Sequence, residues 1–534
     1  MPVRNMSNSL HHECMPFARQ PLKAIYVSQR LLTTLLLVPV WVFHYALLPR
    51  KFRPRTSWSL RQIVTVNFYR RIFKVTELAG VEWGTREPDE ACDNSTLTET
   101  RFEWIDPLPE CLRSGIVVDK QVPFKKVGAF VWPKGSPSED RHGSKAALAS
   151  ESNVEANGDD EPVIGIFLHG GGYCHMSAHE HAGTSRIPRR LMEDKTFSSI
   201  YSVEYRLLQH APFPAAVQDA AAVYAHIVHQ HKGTSNYVSN PNGSETPVTP
   251  KKERSVSHPE MPQVTDILTV NYTTEIAKNE KENNEVKARV EAAARETHCK
   301  IVLIGDSSGG NLVLALARWI RDEGFLPPPA GLILLSPSCD PSHAFPETPS
   351  SYVPRPHADT DYLVDTPEPR ALLQRTFLGH NPLETMHSPY VSPVSRRVLR
   401  AFYGDAFVAS VEDLTIGRLD TGLRETLRTM ASEPATLADE LEPSPTSLAR
   451  PVIASPRGLS LFSEFPRVCV VLGDAERLER EVMKLVGAME RDGVDVCTVW
   501  VEDGVHDVLQ LTWWDERVRD KVWASVEEWA REVR

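Results

Sequence analysis

A serine that attacks a carbonyl needs a base to take its proton, an acid to orient the base, and N–H groups aimed at the oxyanion. The sequence offers residues for each role. Ser307 lies in GDSSG, residues 305–309, after the apolar run IVLI and before NLVLALARWI. Glycines on both sides suit a sharp strand-to-helix turn that lifts the hydroxyl to the start of a helix. There the Ser308 N–H, aided by the helix dipole, faces a developing negative charge. HGGGY, residues 169–173, follows another apolar run, and its three glycines leave bare N–H groups able to approach a ligand closely. Gly170 and Gly171 are the expected oxyanion donors alongside Ser308, with His169 and Gly172 supporting the loop. His506, in a Gly-Val-His-Asp turn, is the only one of nineteen histidines beyond residue 387, and it is the expected base. LGDAERL offers two carboxylates, Asp474 and Glu476, and either could accept the imidazole N–H and hold the correct tautomer.

These residues must be positioned by a scaffold, and short apolar runs supply one. Residues 162–169, 197–207, 300–306, 330–337, 467–474 and 496–503 have strand length and continuous apolar character. Helical patterns over 211–230, 309–324 and 475–493 alternate with them. Continuous apolar strands between helices predict a parallel sheet covered on both faces, an α/β fold. Three stretches, 134–161, 232–262 and 404–460, are rich in Ser, Pro, Asn and charge, and read as solvated insertions. The eight cysteines have no paired spacing, which argues against a disulfide framework. CHMSAHEH, residues 174–181, clusters Cys174, His175, His179 and His181, but at spacings that match no zinc pattern. No metal and no cofactor is expected.

Charge divides the chain unevenly. Residues 1–71 carry eleven Lys/Arg against Glu13, a net +10. That leaves 48 basic and 69 acidic residues, a net −21, on the remainder of a chain whose total is −11. A basic end on an acidic body points to an anionic partner, and the membrane is favoured over nucleic acid by residues 31–48, which contain no Asp, Glu, Lys or Arg. At about 1.5 Å per residue this run is just long enough for a hydrocarbon core. Pro39 leaves a re-entrant hairpin open as an alternative to a single crossing. The expected organisation is a tail and anchor over 1–56 and a catalytic domain over 57–534, in which 57–130 could form a cap. Lys/Arg residues flanking the span weakly favour a cytosolic body, whereas sequons at Asn94, Asn242 and Asn271 would suit a lumenal one and a glycoprotein. The expected location is a membrane, single-pass, of the endoplasmic reticulum.

In its motifs the chain resembles the hormone-sensitive-lipase-like branch of the α/β-hydrolase fold, whose relatives include arylacetamide deacetylases and fungal steryl acetyl hydrolases. The resemblance rests on HGGGY, on EYRLLQHAPFPAAVQDA (204–220), on GDSSGG and on SPYVSPV (388–394), and covers roughly 160–230, 300–340 and 465–534. It implies a serine esterase with the order Ser307, acid, His506. It also favours Glu476, since one subgroup carries Glu-x-Leu about thirty residues before the histidine, where Glu476-Arg477-Leu478 stands. Ser308 departs from the branch's usual alanine, and the Ala-Pro-Glu segment is missing at 208–210. The implied substrate is a small lipophilic ester, such as a steryl acetate or a secondary-metabolite ester. Two rivals share the scaffold: a small-molecule binding protein, as in the plant gibberellin receptor, and an acyltransferase using the same triad.

Overall fold

The apolar runs at 162–169, 197–207, 300–306, 330–337 and 467–474 bury both of their faces and form interior strands, whereas the run at 496–503 is a half-buried edge strand. The computed structural model describes residues 15–135, 161–231, 297–346, 352–364, 367–413 and 458–534. The strands are β1 (Arg101–Ile105), β2 (Val127–Trp132), β3 (Val163–Leu168), β4 (Ser199–Glu204), β5 (Lys300–Asp306), β6 (Gly331–Leu335), β7 (Val468–Gly473) and β8 (Val496–Val501). They form one sheet in the order β1-β2-β4-β3-β5-β6-β7-β8. β2 is antiparallel to both β1 and β4, and the six strands from β4 to β8 are parallel.

Alternate residues of the central strands feed two cores. Ile301 and Leu303 of β5, with Leu332 and Leu334 of β6, face one apolar cluster; Val302, Ile304, Ile333 and Leu335 face the other. The main helices are α1 (Leu22–Leu47), α2 (Leu60–Ala79), α3 (Arg186–Glu193), α4 (Ala215–Gln230), α5 (Ser308–Glu323), α6 (Pro367–Leu378), α7 (Arg396–Asp413), α8 (Glu479–Arg491) and α9 (Glu516–Val533). α4, α5 and α8 cover the first face; α2, α3 and α9 cover the second. A sheet clad this way places the C-terminal ends of its parallel strands, and the loops that leave them, along one rim.

Two expectations are corrected. Residues 57–130 are not a cap throughout: β1 and β2 within them extend the sheet as an antiparallel edge, and α2 is built into the second core through Ile63 and Val66. The insertion expected over 404–460 begins later, because α7 continues to Asp413 past a kink at Gly404 (φ 79°). The rest of that stretch up to 457 lies outside the described residues, as do most of 134–161, all of 232–262, Asn242 and Asn271. Asn94 is described, and its side-chain amide brackets the backbone of Phe102 with two hydrogen bonds of 2.6 and 3.1 Å.

Candidate active site

The turn between β5 and α5 holds Ser307 at φ 52°, ψ −118°, a backbone conformation that costs a non-glycine residue roughly 1–3 kcal/mol. The flanking glycines make the turn possible. A Cβ on Gly305 would stand 2.4 Å from the Gly309 carbonyl oxygen, and one on Gly309 would stand 1.9 Å from that of Leu168. The strained serine is pinned by its N–H, which donates to Leu335 O at 2.9 Å. Its hydroxyl points at the histidine loop, with Oγ 3.0 Å from His506 Nε2.

The histidine loop lies across the end of β7 because two glycines let it. A Cβ on Gly473 would stand 2.1 Å from Gly504 O, and the Ala475 N–H donates to that same oxygen at 2.9 Å. This crossing separates the two candidate acids. Asp474 turns outward, one-third exposed, where it accepts from Asp503 N at 2.7 Å and pairs with Arg55 at 3.6 Å. Glu476 turns inward and is fully buried beside His506, accepting from Ser336 Oγ at 2.7 Å. Its second oxygen and His506 Nδ1 are both buried, and neither has a hydrogen-bond partner among the described residues. Each of the two groups acts on the other's charge.

The glycine loop departs from expectation at one position. The Gly170 N–H donates to Asp306 Oδ1 at 2.9 Å, so it is spent on the scaffold rather than aimed at a ligand. A Cβ at Gly170 would meet the same carboxylate at 2.2 Å. The N–H groups of Gly171, Gly172 and Ser308 make no hydrogen bond to a described residue. Gly171 and Gly172 have φ of 115° and 63°, which explains the need for glycine at both. His169 is buried, stacks on Tyr205 at 4.4 Å and holds the Gly170 carbonyl at 2.8 Å. Burial pulls its pKa down to about 4, so it is a neutral strut. Ser308 ties loop to helix, since its Oγ accepts from Tyr173 N at 3.3 Å. Beyond Tyr173 lies a small cavity of about 10 Å³, room for about one water, lined by Leu208, Phe213, Phe377 and Tyr390 together with Arg206 and Asn311.

Comparison with known proteins gives the fold. A family model described as the alpha/beta hydrolase fold matches residues 165–416, which include the glycine loop and Ser307 but neither Glu476 nor His506. This is an α/β-hydrolase fold. Within it, HGGGY and GDSSGG both lie in the matched region and resemble motifs of the hormone-sensitive-lipase-like branch. Solved structures similar to it include a Pyrobaculum calidifontis esterase (16% identity, 82% of this chain and 87% of that one, TM-score 0.41). A hormone-sensitive lipase from a metagenome library is another (16% identity, 76% and 81%, TM-score 0.40). No curated protein matches the sequence.

The candidate site holds more carboxylates than the sequence reading assigned. Asp507 follows the histidine in the left-handed region (φ 50°) and places Oδ2 3.1 Å from His506 Nε2. Asp306 accepts from Gln510 Nε2 at 2.6 Å as well as from Gly170. Burial opposes a charge on His506, but the Asp507 carboxylate, with Glu476 and Asp361 behind it, outweighs burial and raises the imidazole to about 9. Burial pushes Glu476 up to about 8, against the pull of His506 and the Ser336 hydroxyl. Tyr362 donates to the His506 carbonyl at 3.0 Å and fixes the loop from the α2 side. Asp306 and Asp507 adjoin Ser307 and His506 in sequence, so adjacency was the available signal; Tyr362 carried none. Among the described residues no group of three His, Cys, Asp or Glu side chains could hold a metal, and His175 instead accepts from the Trp83 N–H at 3.3 Å.

Proposed function

We propose that the chain is a serine carboxylic-ester hydrolase acting on a lipophilic ester, with attachment to a membrane through residues 31–48, which run along α1 to its end and include its C-cap. The observation that carries this reading is the 3.0 Å contact between His506 Nε2 and Ser307 Oγ at a strained strand-to-helix turn. Ser307 Oγ attacks the ester carbonyl as His506 Nε2 takes its proton. Glu476 steadies the imidazolium from the far side. The oxyanion accepts from the N–H groups of Gly171, Gly172 and Ser308, with Gly172 taking the place first given to Gly170. Collapse expels the alcohol, which takes the proton from His506. A water molecule then repeats the sequence on the acyl-enzyme, releasing the acid and restoring the serine. The substrate class, a steryl or secondary-metabolite ester among the candidates, follows from the motif resemblance and from a position beside lipid.

A fluorophosphonate tests this directly, because attack by Ser307 Oγ on phosphorus with loss of fluoride copies the first step. Peptide mapping should find the adduct on Ser307 and none on Ser308. A folded chain that stays unlabelled would favour a binding protein on the same scaffold instead.

The electrostatics predict a pH profile. The base works only when neutral, and its neighbours raise its pKa from 6.5 to about 9. kcat/KM should therefore climb with pH along a limb on the alkaline side of 6.5. Asp507→Asn removes the largest raising influence, so that limb should move toward acid. An unmoved limb would show that Asp507 does not act on His506.

A further inference from the structure

Helix α1 wears its amphipathicity the wrong way round for a soluble surface. Its polar side chains turn inward onto α2: Arg71 Nε donates to Thr34 Oγ1 at 3.1 Å and Arg71 Nη2 to Thr33 Oγ1 at 3.2 Å. Arg30 Nε donates to Arg71 O at 3.3 Å, and at the N-terminal end Lys23 Nζ donates to Gly80 O at 2.9 Å. At the other end Arg53 Nη2 donates to Tyr45 O at 3.0 Å. From Leu31 to Leu47 the outward face is mostly apolar, with Leu32, Leu36, Val40, Phe43 and Leu47 each 57–69% exposed; Ser28 and Gln29 before it and His44 near its end are the exposed polar residues. Such an exposed apolar stripe is an interaction surface.

α1 is therefore fastened to α2 and its C-cap from Lys23 to Thr34, and its far end is held by Arg53 of the linker and by Tyr45, which packs against the second core. α2 in turn belongs to the catalytic body: Ile63 and Val66 sit in the sheet's second core, and Arg70 Nε donates to Asp361 O at 2.7 Å. If α1 crossed a bilayer in this arrangement, α2 with Arg70, Arg71 and Lys74, and the body behind it, would lie beside it in hydrocarbon. That is costly for every charge involved. Nor does the helix re-enter at Pro39, since it runs unbroken through that residue.

We propose that α1 lies in the plane of a bilayer surface, its leucine-rich outer face sunk among the acyl chains and both of its ends on one side. The charge pattern fits this occupant. Residues 1–71 carry the net +10 noted above, and Arg50 and Lys51, exposed just past α1, immediately precede a 61%-exposed Phe52 and with it form an interfacial anchor for anionic headgroups. The placement also serves the chemistry. On α2, Tyr69 stacks on Trp513 at 5.7 Å and touches Tyr362, whose hydroxyl holds the His506 loop.

This rests on the membrane attachment proposed above, and independently of the hydrolase reading. The full chain, tagged at both ends, is expressed and sealed microsomes are treated with protease from outside. Both tags should share one fate until detergent is added; opposite fates would establish a crossing and overturn the in-plane placement while leaving attachment intact. Flotation with vesicles of phosphatidylcholine and phosphatidylserine should recover the wild-type chain. Leu36→Asp with Phe43→Asp should bind those vesicles about a hundredfold more weakly, with unchanged turnover of water-soluble p-nitrophenyl acetate. A wild-type chain that fails to float would overturn both placement and attachment.

Discussion

Ser307→Ala should lower ester turnover by about a million-fold, the order of loss expected when the nucleophile of such a unit is removed. The fold should survive. The Ser307 hydroxyl bonds His506 Nε2 and no other described group, so its loss costs about 0.5–1.5 kcal/mol net. Ser307→Gly sharpens the test. Glycine at φ 52°, ψ −118° relieves roughly 1–3 kcal/mol of backbone strain and gives back about 0.5–1 kcal/mol in chain entropy. Strain relief wins, so the glycine variant should be as inactive as the alanine one and melt higher than it. Turnover of p-nitrophenyl acetate and a thermal melt on the two variants check both halves. Substantial activity in either would retire Ser307 as nucleophile, and a glycine variant no more stable than alanine would show that the elbow stores no strain.

The parts legible in the sequence were those that a local pattern dictates. The six parallel strands are continuous apolar runs because helices cover both their faces, and that signature needs no knowledge of partners. The elbow was legible for a similar reason, since Gly305 is dictated by the carbonyl of Gly309, four residues on in the same turn. β1 and β2 were not. RFEWI is five residues long, and it is Val127–Trp132, across residues 106–126, that completes its pairing. Gly170 was misassigned because the carboxylate that claims its N–H, Asp306, lies 136 positions further on. Composition likewise identified α1 as apolar without revealing that Thr33, Thr34 and Arg30 face α2. In each miss the deciding contact was long-range, and one sequence carries no record of such pairings.

Glu476→Gln should cost about ten-thousand-fold in kcat, whereas Asp474→Asn should leave activity within a few-fold. The difference lies in which way each carboxyl turns at the end of β7. Asp474 accepts from the Asp503 N–H and pairs with Arg55 in a partly solvated setting, so removing its charge weakens one surface ion pair. Glu476 lies buried against His506 with one oxygen held by Ser336 and the other unpaired. Glutamine can keep the Ser336 bond through its carbonyl, but its NH2 group then faces His506 Nδ1 as a donor. That pins the imidazole proton on Nε2, the nitrogen 3.0 Å from Ser307 Oγ, and a protonated Nε2 cannot accept the serine's proton. The raised pKa of Glu476 does not weaken this role, because the imidazolium that forms during attack is the charge that draws the carboxyl into its ionised state. Fluorophosphonate labelling should slow in step with kcat in Glu476→Gln and stay fast in Asp474→Asn. The reverse ranking would move the acid to the outer carboxylate and require the histidine loop to turn over.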